Sequence, residues 1–446
     1  MKNILIAIRS IFKKGRHNVM KIVSLGIGLA VGLVLIAKVY FEQSYDDFYP
    51  DRDRVYQVWA KYQQNGGELK DYPQTSGGIA PTMQQQIPEI ETVTRYTSFG
   101  DWTFTMTDTK MKYSGRCIIA DSCFFDILPR PMLIGNAKEV LSTPMYVLIS
   151  SRIAKNIGGD VIGKNFTVDN SPGRTMTIGG VFEEVPENSH SRYDVIVSMA
   201  SAGRFMWEGS PTNMLGNDRY ISYVKLHEGV NPLALEEQVR TFVNSYFPPE
   251  EQQKVGLSID FSFHKLDNLH KELPQVKRMT WILSLLAFAL IFTAVMNYIL
   301  IVISSIVNRS KEVAVHKCYG ASENNIHGMM FGEALVHIVL SLILALLLIL
   351  AFRGTVEELL ATSLDSLLLS NGSLVLLGIC ILVFFVSGFM PGSLYARIPV
   401  ASAFRNYREN KRIWKKALLL VQFVATGFLV TMLVFVARQY TFMVND

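Results

Sequence analysis

The chain has 446 residues, of which 49% are hydrophobic and only 18% are charged, so membrane-spanning segments are sought before any soluble fold. The formal net charge of +5 does not indicate a nucleic-acid partner. The basic residues instead cluster beside the apolar segments, as they do at the cytoplasmic ends of membrane helices.

The N-terminal segment, residues 1–21, predicts a cytoplasmic amphipathic helix lying in the membrane interface. Apolar and basic residues alternate there at helical spacing. The apolar set is Ile4, Leu5, Ile8, Ile11 and Phe12, and the basic set is Lys2, Arg9, Lys13 and Lys14. A plain cytoplasmic extension of the first span is the alternative. Residues 22–41 predict transmembrane helix 1, which we interpret as an uncleaved anchor because no small-x-small cleavage site follows Ala37.

Residues 42–278 are predicted to form a large extracytoplasmic α+β domain, since this length allows a core of its own. Short runs of β-forming residues, separated by Gly, Pro, Asn and Asp, predict strands at 54–62, 92–106, 112–119, 145–150, 165–168, 174–182, 193–199 and 219–226. A helix is predicted at residues 232–247, where apolar residues share one face until Pro248 and Pro249 end the pattern.

Two patterns in this domain need interpretation. A GxxxxGK sequence begins at Gly158, but Asn165 follows it where a Mg²⁺-binding Ser or Thr is needed. We therefore interpret it as a turn between a helix at residues 151–157 and the next strand. Cys117 and Cys123 are compatible with a small disulfide loop or with two buried thiols, and the sequence leaves both open.

The C-terminal part predicts a membrane all-α helical bundle that has five transmembrane helices in all. Further apolar runs lie at residues 279–307, 329–352, 373–390 and 417–437. Basic residues precede the first span and separate the fourth from the fifth, which places both segments in the cytoplasm. Alternation then puts the connection at residues 308–326 inside and the large domain outside.

The connection at residues 308–326 reads NRSKEVAVHKCYGASENNI. Apolar residues lie among the charged ones at Val313, Val315 and Ile326. Gly320 is suited to ending a helix, and Ser322 is suited to capping the next one. The pattern predicts a short amphipathic helix at the inner membrane face, which suits docking of a partner.

Two ionisable residues fall inside the third predicted span. Glu333 and His337 are four residues apart and share a helix face. Ionisable groups in a membrane are candidates for a proton relay, and the alternative is that Glu333 pairs locally near the cytoplasmic interface. No spacing in the chain suggests a catalytic, cofactor-binding or metal site.

Residues 311–322 (KEVAVHKCYGAS) resemble the coupling element of the FtsX/MacB-type ABC transporter permeases, in particular the MacB-like permeases common in Bacteroidetes. Ala314 and His316 depart from the family pattern. Three other stretches agree with it: residues 41–58 (FEQSYDDFYPDRDRVYQV), 179–198 (GGVFEEVPENSHSRYDVIVS) and 397–405 (RIPVASAFR). The coupling residues that the resemblance implies are Lys311, Glu312, Val313, Val315, Lys317, Gly320 and Ala321.

The resemblance implies a permease in the bacterial inner membrane, with a MacB-like periplasmic core domain at residues 42–278 and an FtsX-like permease domain at 279–397. It implies a separate ABC ATPase that binds ATP and Mg²⁺, a second permease copy or half, and possible contact with a periplasmic adaptor and with membrane lipid. The chain itself would need no cofactor and would not be an enzyme. Its action would be mechanotransmission for export of an unidentified substrate.

Residues 398–446 are expected to form a cytoplasmic linker and transmembrane helix 5, as if a second unit began there and was truncated. Two other functions remain open at this point. One is a receptor whose outer domain binds a ligand, and the other is an ion-coupled secondary transporter using Glu333 and His337.

Overall fold

The computed structural model describes residues 17–169, 171–368, 372–396, 399–401 and 413–445. Residues 1–16 of the predicted amphipathic helix and residues 402–412 of the predicted linker lie outside the described part. The chain divides into two compact units. One, from Ser44 to Leu273, is called the sheet domain below, and the chain on either side of it forms the membrane unit.

The sheet domain follows helix α1 (Asn18–Gln43) and is built on an 11-stranded sheet. The strands are β1 (Val55–Gln64), β2 (Lys70–Tyr72), β3 (Ile90–Met106), β4 (Lys112–Ala120), β5 (Met132–Ile134), β6 (Tyr146–Ser150), β7 (Asn165–Val168), β8 (Ser171–Phe182), β9 (Val195–Ser198), β10 (Ile221–Leu226) and β11 (Leu257–Lys265). Their order across the sheet is β11-β1-β10-β3-β4-β9-β6-β8-β5, with β2 beside β1 and β7 beside β3 and β8.

Most strand pairs are antiparallel, and β4 with β9 and β6 with β8 are parallel. The first and last strands of the domain pair with each other, from Tyr56 opposite Lys265 to Gln64 opposite Leu257. Period-two patterning explains β11, because Ile259 and Phe261 are buried while Ser258 and Asp260 are exposed.

Helices cover the sheet, so the domain has the predicted α+β character. They are α2 (Ile79–Gln86), α3 (Phe124–Ile127), α4 (Ala137–Ser142), α5 (Ser151–Ile157), α6 (Ala202–Phe205), α7 (Glu236–Tyr246) and α8 (Pro249–Val255), with 3₁₀ turns at Met199–Ser201, Pro232–Leu235 and Leu266–Asn268. Helix α7 packs Val239 and Phe242 in one buried cluster with Phe261 of β11. That shared cluster explains why the amphipathic pattern of this segment forms a helix here.

Cys117 and Cys123 are free thiols in the structure. Cys117 is fully buried in β4, and burial raises the pKa of its thiol. The Cys123 thiol lies 3.1 Å from the carbonyl oxygen of Val93, and its pKa is also raised by burial. Both groups are therefore protonated near neutral pH, the less reactive form of a thiol.

The membrane unit continues after the sheet domain with seven described helices. They are α9 (Pro274–Ser304), α10 (Ile306–Cys318), α11 (Glu323–Ala351), α12 (Arg353–Leu360), α13 (Leu364–Leu368), α14 (Ser373–Ala396) and α15 (Ile413–Asn445). In the described part of the chain, four helices are long and apolar enough to cross a membrane: α1, α9, α11 and α14. The fifth predicted span falls on α15, of which the shorter stretch Leu419–Phe428 is apolar, so a fifth crossing stays a prediction.

Glycines let α1 approach its neighbours closely. A Cβ atom at Gly28 would lie 2.2 Å from the Cβ of Ala294 in α9, and one at Gly26 would lie 2.9 Å from the side chain of Leu344 in α11. Small residues at such contacts allow membrane helices to pack backbone against backbone. Helix α1 is thus fitted tightly between α9 and α11.

Candidate functional site

Helix α10 has one buried and one exposed face, as the sequence predicted. Val313 and Ala314 are each 1% exposed and join the apolar core of the membrane unit. Lys311 lies on the exposed face, together with Val315 and, just beyond the helix, Tyr319, which is 89% exposed. An exposed aromatic residue beside an apolar one is the composition favoured at protein interfaces.

The turn between α10 and α11 also follows the prediction. Gly320 has a φ of +87°, a conformation that favours glycine. The Ala321 N–H donates to the carbonyl oxygen of His316 at 3.0 Å, which satisfies a carbonyl at the end of α10. The Ser322 hydroxyl oxygen accepts a hydrogen bond from the N–H of Asn325, so Ser322 caps α11.

A cluster of buried charges joins α10 to two spans, and we call it the inner charge cluster: Glu333, Arg309 and Lys21. The Arg309 guanidinium donates to both carboxylate oxygens of Glu333, at 2.8 and 3.1 Å. The Lys21 ammonium of α1 lies 3.5 Å from the same carboxylate. Burying charges is costly unless they are paired, so these three side chains hold one another in place.

Aromatic side chains extend the cluster to the other spans. The Arg309 guanidinium lies over the Tyr395 ring of α14 at 5.4 Å, and the Tyr395 hydroxyl donates to the carbonyl oxygen of Val302 in α9 at 3.1 Å. The Tyr298 hydroxyl of α9 lies 3.1 Å from Nδ1 of His337. All four candidate spans therefore contribute a polar side chain to this region.

The two ionisable residues predicted in the third span, Glu333 and His337, are both buried on α11. Glu333 contacts Arg309 and Lys21, and His337 contacts Tyr298.

Some predicted residues of α10 and its turn lie on the exposed face, and others contact the inner charge cluster or the apolar core. The Glu312 carboxylate, on a side chain 36% exposed, lies 3.7 Å from Nε of Arg309. The Lys317 ammonium donates to the carbonyl oxygen of Ala396 at the end of α14 at 2.7 Å, and Ala321 packs against the core. Glu312 thus stands between the exposed face of α10 and the buried charges.

The sheet domain holds a second buried polar cluster, centred on Asp46. The Asp46 side chain is fully buried and accepts hydrogen bonds from Ser189 Oγ at 3.0 Å and from the His190 ring, whose Nδ1 is 2.6 Å away. The Asp46 N–H donates to the carbonyl oxygen of Asn188 at 2.9 Å. Two of the stretches singled out by resemblance, residues 41–58 and 179–198, are therefore in direct contact.

Tyrosine hydroxyls complete this Asp46 cluster. The other ring nitrogen of His190 contacts the Tyr223 hydroxyl, and the Tyr96 hydroxyl lies 2.6 Å from Ser191 Oγ. Burial raises the pKa of Tyr96 to about 12, so its hydroxyl is neutral and able to donate. The cluster fixes the first turn of the domain directly after α1.

Sequence reasoning missed Lys21, Arg309, Tyr395 and Tyr319. Lys21 and Arg309 stand in the basic flanks of the spans, where most cations face water. Their positions in the sequence were the available signal, because Lys21 adjoins the apolar run of α1 and Arg309 stands just before residues 311–322.

Four long apolar helices with a large sheet domain between the first two define a multi-pass membrane protein. Residues 284–400 match the model of the FtsX-like permease C-terminal family. A domain of a protein named as a permease, from Porphyromonas gingivalis, is 33% identical, with 49% of this chain and 91% of that chain covered and a TM-score of 0.45. Residues 284–400 therefore form an FtsX-like permease domain, the family that the motifs of the chain implied.

Two further solved structures are similar to part of the chain. One is the periplasmic region of MacB from Actinobacillus actinomycetemcomitans, at 13% identity, 49% and 91% coverage of the two chains and a TM-score of 0.32. The other is the extracellular domain of the noncanonic ABC-type transporter YknZ from Gram-positive bacteria, at 11% identity, 46% and 98% coverage and a TM-score of 0.33. No curated protein matches the chain.

Proposed function

We propose that the chain is the permease subunit of a transporter in which a cytoplasmic ABC ATPase docks on α10 and moves the sheet domain on the periplasmic side. The observation that carries the proposal is the inner charge cluster, because it ties α10 to α1 and α11 through buried ion pairs. ATP and Mg²⁺ are bound by the partner, and this chain transmits the movement.

The exposed face of α10 supports the docking step. Val315 is 43% exposed and Tyr319 is 89% exposed, which gives a partner apolar and aromatic contact area. Glu312 and Lys311 supply charges of both signs beside it. Interfaces of this kind concentrate their affinity in a few aromatic anchors, so Tyr319 is the residue we expect to contribute most.

The route of movement follows from the contacts. A displacement of α10 acts on Glu333 through Arg309 and then on Lys21 of α1. The chain passes from α1 directly into the sheet domain at Ser44, so α1 carries the displacement onward. Packed helices move between discrete arrangements rather than bending continuously, which suits mechanotransmission.

The proposal includes the predicted orientation and assembly. The protein lies in the bacterial inner membrane with its N-terminus in the cytoplasm, and it works as a dimer with a second permease copy or half. A periplasmic adaptor is a further proposed partner, and the exported substrate is unidentified. We do not propose a secondary transporter, because the Glu333 carboxylate is already held by two cations, Arg309 and Lys21.

Docking is tested by substitutions on α10 and its turn. Tyr319→Ala should weaken ATPase binding by about 2 kcal/mol, or roughly thirtyfold in Kd, because it removes an aromatic anchor. Glu312→Lys should also weaken binding, since it places a cation beside Arg309. Gly320→Pro should abolish it, because proline cannot adopt a positive φ. The measurement is co-purification and titration of the full chain with the ATPase encoded beside it.

Glu358→Lys is the matched control, since it makes the same charge change at an exposed position of α12. It should leave ATPase binding and stimulation unchanged. Wild-type binding by both Tyr319→Ala and Glu312→Lys would contradict the docking role.

Orientation is tested with the native thiols. Cys318 is exposed at the end of α10, whereas Cys117 is buried with a raised thiol pKa. A maleimide that cannot cross membranes should spare Cys318 in intact spheroplasts and modify it in inverted vesicles. Cys117 should react only after denaturation. Labelling of Cys318 in intact spheroplasts would show the opposite orientation.

A further inference from the structure

Helix α1 carries a second buried lysine near the end opposite to Lys21. Lys38 is 7% exposed within a helix long and apolar enough to span a membrane. It is 17 residues beyond Lys21, about 25 Å along the helix axis at 1.5 Å per residue. A buried cation inside a membrane helix is costly and typically has a functional partner.

The Lys38 ammonium has two partners. It lies 2.6 Å from the Glu42 carboxylate one turn along α1, and it donates to the Thr362 hydroxyl at 2.7 Å. The Thr362 hydroxyl in turn donates to the carbonyl oxygen of Leu360 at 3.0 Å. Glu42 and Thr362 are 4% and 6% exposed, so the whole contact is shielded from solvent. Lys38 therefore binds α1 to the turn between α12 and α13.

Apolar contacts between α1 and α12 do not fix the two helices relative to each other. Val34 and Leu35 of α1 and Val356 and Leu360 of α12 line an open apolar groove of about 490 Å³. The two helices therefore do not pack closely against each other along this groove. Leu364 and Leu367 of α13 are buried, but hydrophobic contacts of this kind tolerate sliding more readily than a directed hydrogen bond does. The Lys38 contact thus fixes the turn at one position on α1.

We propose that Lys38 is a positioning residue that fastens α1 to the turn after α12, so that displacement received at the Lys21 end of α1 is delivered at its other end. This inference rests on the proposed function and adds the element that carries the motion. The ion pair of Lys21 with Glu333 at one end and the hydrogen bond of Lys38 to Thr362 at the other make α1 a rod that moves with α11 and with the segment from α12 to α13.

The test uses the full chain with its ATPase in nanodiscs and one fluorophore at either end of the rod. Cys318 is the native reporter at α10, and Glu358→Cys places an exposed reporter on α12. Each reporter is examined alone, with the remaining cysteines replaced by serine or alanine. In the parent protein both reporters should change their emission when ATP is trapped on the ATPase.

Lys38→Met should abolish the response at position 358 and preserve the response at Cys318. Thr362→Val should also abolish the response at position 358. Because it leaves Lys38 paired with Glu42, it controls for a folding defect caused by loss of the lysine. Lys38→Arg should restore the response at position 358. Thr355→Val is the matched control, because Thr355 is exposed on α12.

Retention of both responses in Lys38→Met and Thr362→Val would overturn the inference. Loss of both responses in both variants would also overturn it, since Lys38 would then support the whole membrane unit rather than the rod alone. Absence of any ATP response in the parent protein would instead contradict the proposed function, and these results are distinguishable.

Discussion

Glu333→Ala is expected to cause the largest loss of stability among single substitutions in the membrane unit. In the native protein the Glu333 carboxylate lies 2.8 Å from the Arg309 guanidinium and 3.5 Å from the Lys21 ammonium. The substitution removes this carboxylate and leaves two buried cations near each other. Breaking a buried ion pair in this way costs about 3–5 kcal/mol. Thermal unfolding of the purified chain in detergent should show a lowered Tm, with a smaller decrease for Glu333→Gln, which retains a hydrogen-bond acceptor.

Glu323→Ala is the matched control, because it removes a carboxylate from an exposed position at the start of the same helix. A more informative variant combines Lys21→Met, Arg309→Met and Glu333→Leu. Replacing a buried charge cluster by apolar residues is often neutral or stabilising, so Tm should recover. ATPase stimulation should stay lost, because the directed contacts between α10, α11 and α1 are absent. Full stimulation in this triple variant would contradict the proposed route of movement.

The second large effect is expected at Asp46 in the sheet domain. Asp46→Ala removes the acceptor for the His190 ring and for the His190 backbone N–H. Position 46 also has a φ of +60°, which alanine adopts less readily than aspartate or asparagine. Unsatisfied buried donors cost about 1–3 kcal/mol each, so we expect a destabilisation of roughly 3 kcal/mol.

Asp46→Asn separates the two contributions, since it keeps the backbone preference and one acceptor oxygen but lacks the charge. It should fall between wild type and Asp46→Ala in chemical denaturation followed by tryptophan fluorescence. Asp101→Ala, at an exposed position of β3, should change the free energy of unfolding little. Equal stability of Asp46→Ala and Asp101→Ala would show that the Asp46 cluster does not hold the first turn of the domain.

Much of the fold was predictable because its patterns are local. All eight predicted strands overlap observed ones, and the helix Ser151–Ile157 has the predicted bounds. Pro248 and Pro249 ended the helical pattern as expected, although residues 232–235 form a 3₁₀ turn rather than the start of α7. Strands β2 and β5 have three residues each, too few for a periodic signal.

Strand β11 was missed for a different reason. Its sequence, LSIDFSFHK, alternates as a half-buried strand should, but no strand is predicted there because the segment leads directly into the second span. The position of this segment next to the second span obscured its alternating strand pattern. The same effect concealed Lys21 and Arg309, because cations beside a span are expected to face water.

The candidate site depends on contacts that no local pattern contains. Helix α10, the glycine that ends it and the serine that caps α11 were predictable from residues 308–326 alone. The pairing of Lys21 with Glu333 joins residues 312 positions apart, and Lys38 reaches Thr362 over 324 positions. Only the tertiary fold decides whether such a charge is buried, so the roles of these lysines required the structure.

The pairing of β1 with β11 has a consequence for biosynthesis. One edge of the opening strand acquires its partner only when the closing strand has left the ribosome, just ahead of α9. Non-local pairing of this kind slows folding and leaves an unpaired edge exposed during translation. The nascent domain is therefore open to aggregation through this edge until the second hydrophobic helix is being synthesised.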